Sequence, residues 1–486
     1  MKAVKLFVLG IISLTIFNSC NSNEIDDLQN QISSLETRTT LLEADVAKLK
    51  ELIEKVNTIK KSLDNLDGLV ETNTQLLNTF KDKIDSIEEA MVNSDKDMSE
   101  LEAELSEVKT ALDNFMEQNK IFPGDLIIHS SVHADIVKLF EERKYEIIMG
   151  DLLISNVSAS SIEYLNNLIV VGGDFSIKDT DLINLETFSN LTAAGEIRIG
   201  NNTLLESLKG LENLTKVGDQ FLVYDNPSLE SLIGLENLIE TGTYFNISGN
   251  NLLTSLTGLE NLTKVGGQFS ISNNESLKNL TGLENLTKIG ESFSIRDNNS
   301  LESLLGLENL TEIGGDFNLA DNASLKIITG LENLTKIGGG YFYILDNASL
   351  ESITGLTSLT EIAGNFDIRD NASLKIITGL ENLTKIGRSL SIVNNDSLED
   401  LTGLANLTEI GGYFNIWLND SLKSLTGLEN LTEIEEKFNI GGNIILASFC
   451  SLQNYLNTDA SLDFDINGNL YNPSIEEIKD SSTCEQ

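Results

Sequence analysis

The sequence predicts a β-solenoid of 24-residue coils standing behind an N-terminal α-helical coiled-coil stalk. Three observations carry that prediction. A glycine recurs at Gly210, Gly234, Gly258, Gly282, Gly306 and Gly330, each 24 residues from the last, and resumes after one extra residue at Gly355, Gly379, Gly403 and Gly427. A fixed period of this size marks a solenoid. Within each unit a Phe-x-Ile step such as Phe293 and Ile295 alternates as a half-buried strand does, just before the turn residues Asp297 and Asn298. Ahead of the repeats, Leu28, Leu35, Leu42, Leu49, Val56, Leu63, Val70, Leu77, Ile84, Met91, Met98, Leu105 and Leu112 lie seven apart without a break.

One unit cannot stand alone. Its few apolar side chains (Leu301, Leu304, Leu307, Leu310 and Ile313 after the strand) do not offset the entropy of ordering its backbone, so each coil must stack on its neighbours. Stacking turns Asn226, Asn250, Asn274, Asn298, Asn322, Asn347, Asn371, Asn395, Asn419 and Asn443 into one internal structural ladder, each amide able to bond turn backbone above and below. The run Leu-x-x-Ile-Gly-x-x-Phe-x-Ile-x-x-Asn-x-x-Leu resembles the receptor L-domain. That resemblance implies a right-handed parallel β-helix, leucine-rich-repeat-like, and leaves function open.

In chain order, Lys2 and Lys5, an apolar run from Leu6 to Phe17, and Ser19-Cys20 read as a secretory signal over 1–19. The Ser19-Cys20 step resembles a bacterial lipobox, from which Phe17 and Asn18 depart, and implies lipidation of Cys20. Residues 20–27 are then a tether, similar to the acidic one of some Gram-negative surface lipoproteins. This implies an outer-membrane, lipid-anchored protein exposed at the cell surface.

The heptads make 28–118 the stalk, about 140 Å long if continuous at 1.5 Å per residue. A companion seam shifts register near Leu49–Leu52, and Gly68 and Asn93-Ser94-Asp95 are places where the rod could fold back. A parallel homo-oligomer, with a lean toward a trimer, is the expected assembly. Residues 119–150 form a β-α-β cap opened by Pro123-Gly124, the repeat solenoid runs over 151–443, and 444–486 close it as a second cap. In an exported chain whose Cys20 carries lipid, Cys450 and Cys484 are left to pair as a disulfide in that cap.

The chemistry is sparse. The formal charge of −42 argues against nucleic acid, which needs clustered Lys and Arg, and makes the lipid anchor the chain's only contact with membrane. There are two histidines, His129 and His133, with no third ligand nearby, and no nucleophile elbow, P-loop or HExxH motif. No enzyme activity, cofactor or metal is expected. The Asp297, Asp321, Asp346 and Asp370 column invites Ca²⁺, but turn formation accounts for it. The Asn-Leu-Thr triplets are the repeat's own consensus.

Non-catalytic recognition is the leading function: an adhesin or a ligand-capture protein with an extracellular protein or glycan partner. The rival is a structural spacer or surface-layer component. Positions flanking the Phe-x-Ile step vary from coil to coil while the core stays constant. Large aromatics among them, Tyr341, Tyr343, Tyr413 and the single Trp417, fall with Arg369 on one sheet within four coils and are the candidate ligand-binding residues.

Overall fold

The computed structural model describes residues 22–62, 70–93, 97–130, 134–458 and 464–486. The leader, Cys20 and Gly68 lie outside them, as does His133. The chain divides into two compact units: the described part of 1–126 with Lys138–Asp151 and Val170–Gly172, and Ile127–Val137 with Leu152–Ile169 and Gly173–Gln486.

In the first unit three helices, α1 (Ser22–Ser62), α2 (Val70–Asn93) and α3 (Met98–Gln118), pack on one another. Of the two arrangements the heptads left open, a continuous rod or one that folds back, the helical region takes the second. The heptad residues meet their partners inside the chain. Leu42, Val46, Leu49 and Ile53 of α1, Phe80, Ile84 and Ile87 of α2, and Leu101, Leu105, Val108, Leu112 and Phe115 of α3 are all buried. Phe80 meets Phe115 edge to face at 6.4 Å.

Polar rims set the helix pairing. Arg38 grips Glu102 through two bonds of 2.7 and 2.5 Å, Lys50 reaches Asp85 at 2.8 Å, and Lys109 pairs with Asp45. The reversal before α3 is fixed by Asp97, whose carboxylate caps the helix by accepting from the Glu100 N–H at 2.9 Å. At the register shift, Ile53 rather than Leu52 becomes the buried residue. Strand Ile121–Phe122 then pairs in parallel with Ile147–Ile148, and a Phe122, Phe140, Tyr145 ring cluster sits beside it, centroids 5.0–5.5 Å apart. Phe140 belongs to α4 (Ala134–Arg143).

The second unit is a parallel β-solenoid of about 14 turns with 24-residue coils. Each repeat contributes two strands. A long one carries Phe-x-Ile, as in Tyr244–Ser248 and Gln268–Ser272, and pairs with its equivalents above and below in unshifted register. A short one, as in Lys288–Ile289, forms a second ladder. Most side chains pointing inward repeat their own kind, with departures such as Leu390 in the phenylalanine column, Leu319 in the isoleucine column and Thr241 among the short strands. Phe221, Phe245, Phe269, Phe293, Phe317, Phe342 and Phe366 stack nearly parallel with centroids 4.7–5.6 Å apart.

The asparagine ladder runs from Asn202 to Asn469, each member at most 8% exposed. Asn298 shows the pattern: its Nδ2 donates to Ile271 O (3.0 Å) and Arg296 O (2.9 Å), and its backbone N–H donates to Asn322 Oδ1 (3.2 Å). Only an amide supplies two N–H donors and a separate acceptor oxygen on one short side chain. Thr180 opens the ladder by donating to Asn202, and Asn472 closes it by accepting from Asn469. The residue before each asparagine adopts φ near +55°, as at Asp297, Asp321 and Asp370, a region that Asp, Asn and Gly enter most easily.

Two local devices were not read from the repeat. The glutamate two after the recurrent glycine folds back to accept its N–H, Glu284 on Gly282 at 3.0–3.1 Å, while the glycine takes φ +111°. A Cβ there would stand 2.1 Å from Leu256 O. Where that glutamate is Thr357 or Ala405, the bend becomes a 3₁₀ turn (Thr354–Leu356, Thr402–Leu404) instead. The Asn-Leu-Thr triplet is an outer brace: Asn285 Nδ2 donates to Glu260 O at 2.7 Å and Thr287 Oγ1 to Thr263 O at 3.1 Å. Beside it, lysine and glutamate face across coils, Lys288 and Lys336 both on Glu312 at 2.8 and 3.4 Å.

The C-terminal end is closed by α5 (Gln453–Thr458), strand Phe464–Asn467 on Phe438–Gly441, and α6 (Ile475–Lys479) with a Ser474/Glu477 capping box. Cys450 and Cys484 are joined there as a disulfide.

Two outcomes test this fold. Asn298→Ala strips the ladder of one rung and leaves the Asn274 backbone N–H and the Ile271 and Arg296 carbonyls without their ladder partner, so it should cost about 2–4 kcal/mol in urea unfolding. Asn299→Ala, on the exposed side of the same turn, should stay within about 0.5 kcal/mol. Equal effects would remove the ladder as the stabilising element. Because the described seam residues from Leu42 to Ile53, Phe80 to Ile87 and Leu101 to Phe115 are covered within the chain, the full protein should sediment as a monomer at micromolar concentration. A trimer would show that the helices open and pair between chains.

Candidate functional site

The outward face of the Phe-x-Ile sheet is built by three columns. Register places Tyr343, Asp367, Ser391, Asn415 and Asn439 in the middle one, and Leu345, Arg369, Val393, Trp417 and Gly441 in the column after the isoleucine. Tyr341 lies opposite Asn365 in the column before the phenylalanine.

The extra residue of the repeat falls between Ile337 and Phe342, in the Gly338–Gly340 triplet that leads into this face. A Cβ at Gly340 would meet only Asp316 Oδ1, at 3.6 Å, and the Tyr341 N–H donates to that same oxygen at 2.9 Å. Tyr341 is 41% exposed, and its ring stacks on Tyr343 at 5.0 Å and 13°. Burial raises the Tyr343 pKa, with Tyr341, Asp367 and Asp316 adding to it.

Three coils on, about 14 Å along the stack, Tyr413 is exposed, its hydroxyl bonded to Glu436, which raises its pKa. Trp417 does not project. Its ring lies against Gly441, where any Cβ would meet it at 2.6–2.9 Å. Leu418 follows with φ +57°, the one large apolar residue in a turn column of Asp, Asn and Gly, and rests 48% exposed over Gly442. The structure thus stacks Tyr341 on Tyr343 and sets the other two rings on one later coil, Tyr413 just before strand Phe414–Trp417 and Trp417 at its end.

Between these two sets of rings sits Arg369, bonded through Nε to Asp367. Asp367 is only 8% exposed and Ser391 beside it 7%, whereas Ser294 and Asn415 in the same column are half-buried. Burial pushes the Asp367 carboxyl up, and the Arg369 guanidinium pulls it back.

The other sequence candidates lie elsewhere. Asn274, Asn298, Asn322, Asn347 and Asn371 are fully buried in the ladder, away from this face, and Cys450 and Cys484 are in the C-terminal cap. His129 Nδ1 lies 2.8 Å from Ser155 Oγ. In the aspartate column Asp321 takes Arg296 at 3.5 Å and Asp370 takes Asn394, while burial and the flanking Asp370 and Asp321 raise Asp346. Among the described residues no group of three or more His, Cys, Asp or Glu is arranged to hold a metal, and no helix is long and apolar enough to cross a membrane.

The Asp367–Arg369 pair has a pH signature. Removing the guanidinium leaves a buried carboxylate, so its folded pKa rises further above the unfolded value. The folded state then holds a proton that the unfolded chain releases, and stability falls as pH rises through the carboxylate range. Arg369→Ala should cost about 1–3 kcal/mol at neutral pH and less near pH ~4. Adding Asp367→Asn should recover most of the loss. A loss independent of pH would assign Arg369 a packing role only.

No curated protein matches the chain. Among solved structures, a leucine-rich repeat protein from Bacteroides ovatus ATCC 8483 is similar over 61% of this chain and 92% of its own, at 16% identity and a TM-score of 0.15. A family model that matches is that of the BspA-type leucine-rich repeat region, over residues 248–366 and 342–460. The coils that carry the four rings are thus similar in sequence to a BspA-type leucine-rich repeat region.

Proposed function

We propose that the chain is a non-catalytic recognition protein of a bacterial cell surface, held at the outer membrane by lipid on Cys20, with the outward sheet face of the solenoid as its binding surface. One observation carries this reading: the wall is uniform within and varied without. The inward Phe, Ile, Leu and Asn columns repeat coil after coil with every asparagine bonded to the next. The outward columns change residue at nearly every coil, and they hold exposed tyrosines that a plain spacer does not need. A rigid platform of this kind loses little conformational entropy on binding. Self-association through the helices is not part of the proposal, because the seam residues from Leu42 to Ile53, Phe80 to Ile87 and Leu101 to Phe115 are covered within the chain.

The test is a binding panel of glycans and extracellular proteins presented to the purified full chain. At least one saturable partner is expected, and Tyr413→Ala with Trp417→Ala should weaken it about tenfold or more without lowering the melting temperature. A panel with no saturable partner would favour the structural-spacer alternative.

A further inference from the structure

Resting on that reading, we infer that the ligand of the stretch between Tyr341/Tyr343 and Tyr413/Trp417 is a neutral glycan chain laid across the coils.

Charge is the first argument. The chain carries −42, yet across these four coils the three outward columns hold one acid and one base, Asp367 and Arg369, bonded to each other. At physiological ionic strength only charges within about 8 Å act strongly on a bound group. At the edges of the face Arg388 and Lys437 are outnumbered by Asp316, Asp346, Asp370 and Glu436, so the face offers no net cation for a sulfate, phosphate or uronate.

Ring seating is the second. Trp417 lies against Gly441, and Leu418 extends that apolar shelf over Gly442 in a backbone conformation that costs a leucine energy. A shelf of that kind takes the C–H face of a pyranose, while hydroxyls at the ring's rim need polar partners.

Those partners are present and already oriented. Ser389 Oγ accepts the Tyr413 N–H at 3.0 Å, and Ser391 Oγ accepts from Asn415 at 3.4 Å, so each serine keeps its own proton to donate. Asn365 holds Ser389 N at 3.0 Å through its oxygen. An extended pyranose chain advances by a length close to one coil spacing per ring, which matches a face that repeats every ~4.8 Å. A protein ligand would make little use of that match.

The experiment presents neutral oligosaccharide series of increasing length (glucans, xylans, mannans, galactans), together with heparin and polygalacturonate, to the full chain in titration calorimetry. The expected result is binding of a neutral series whose affinity rises with length and then levels off within a few sugars. It should be insensitive to salt. Trp417→Ala and Tyr343→Ala should each weaken it about tenfold, Trp417→Phe should retain most of it, and Tyr244→Ala, on the same face four coils away, should leave it unchanged. Melting temperatures of all four variants check that each is folded. Binding confined to the polyanions overturns the inference, as does neutral-glycan binding untouched by both alanine variants. A protein partner lost in Trp417→Ala, with no glycan bound, overturns the glycan class but keeps the recognition reading; no partner of any kind overturns both.

Discussion

The buried asparagine ladder is the constraint on which the rest of this solenoid depends. The Oδ1 of Asn274 receives two donors from Asn250 and its Nδ2 reaches Ile247 O, both in the preceding coil, while its own N–H and Nδ2 donate to Asn298 Oδ1 in the following one, so neighbouring coils can meet at only one distance and in one register. A one-residue slip at Asn322 would put Asp321 or Ala323 where the amide must be and bury polar groups without partners. With register held there, Phe stacks on Phe and Ile on Ile without further instruction. The αL residue just before the amide follows from the same demand, because the chain must turn sharply to aim the side chain inward.

Much of this was legible because periodicity is written in the sequence directly. A column of asparagines 24 apart has a physical meaning as soon as coils are stacked. The capping role of Glu284 and the bracing role of Asn285 were less visible. Both residues are exposed or half-exposed in sequence terms, and their bonds go to backbone atoms that composition does not mark. The two departures, Thr357 and Ala405, were in fact the available signal, since both coincide with a change of turn type.

The fold-back of the helices was left open by the sequence for a different reason. A heptad seam states that an apolar stripe needs cover, not whether the cover comes from another chain or from the same one folded back. Charges decide it here: Arg38 finds Glu102, and Lys109 finds Asp45, both 64 residues away along the same chain. Such long-range pairings have no signature in a seven-residue pattern. Asp97 as an N-cap was the local hint, a helix start in the midst of an unbroken heptad run.

The outward face carries a coupling that single-coil reading also misses. A large ring in the column after the isoleucine lies down on the sheet, and it requires a glycine in an adjacent coil. Tyr224 covers Gly200, where a Cβ would meet the ring at 2.3–2.7 Å, and Trp417 covers Gly441 in the same manner. Leu418 over Gly442 repeats the arrangement one position on. Variation on this surface is therefore not free coil by coil, because each bulky residue takes up its neighbour's space as well as its own. A flat apolar shelf is thus a two-coil object. The sites most able to form one are those where the repeat has already lost a side chain to glycine.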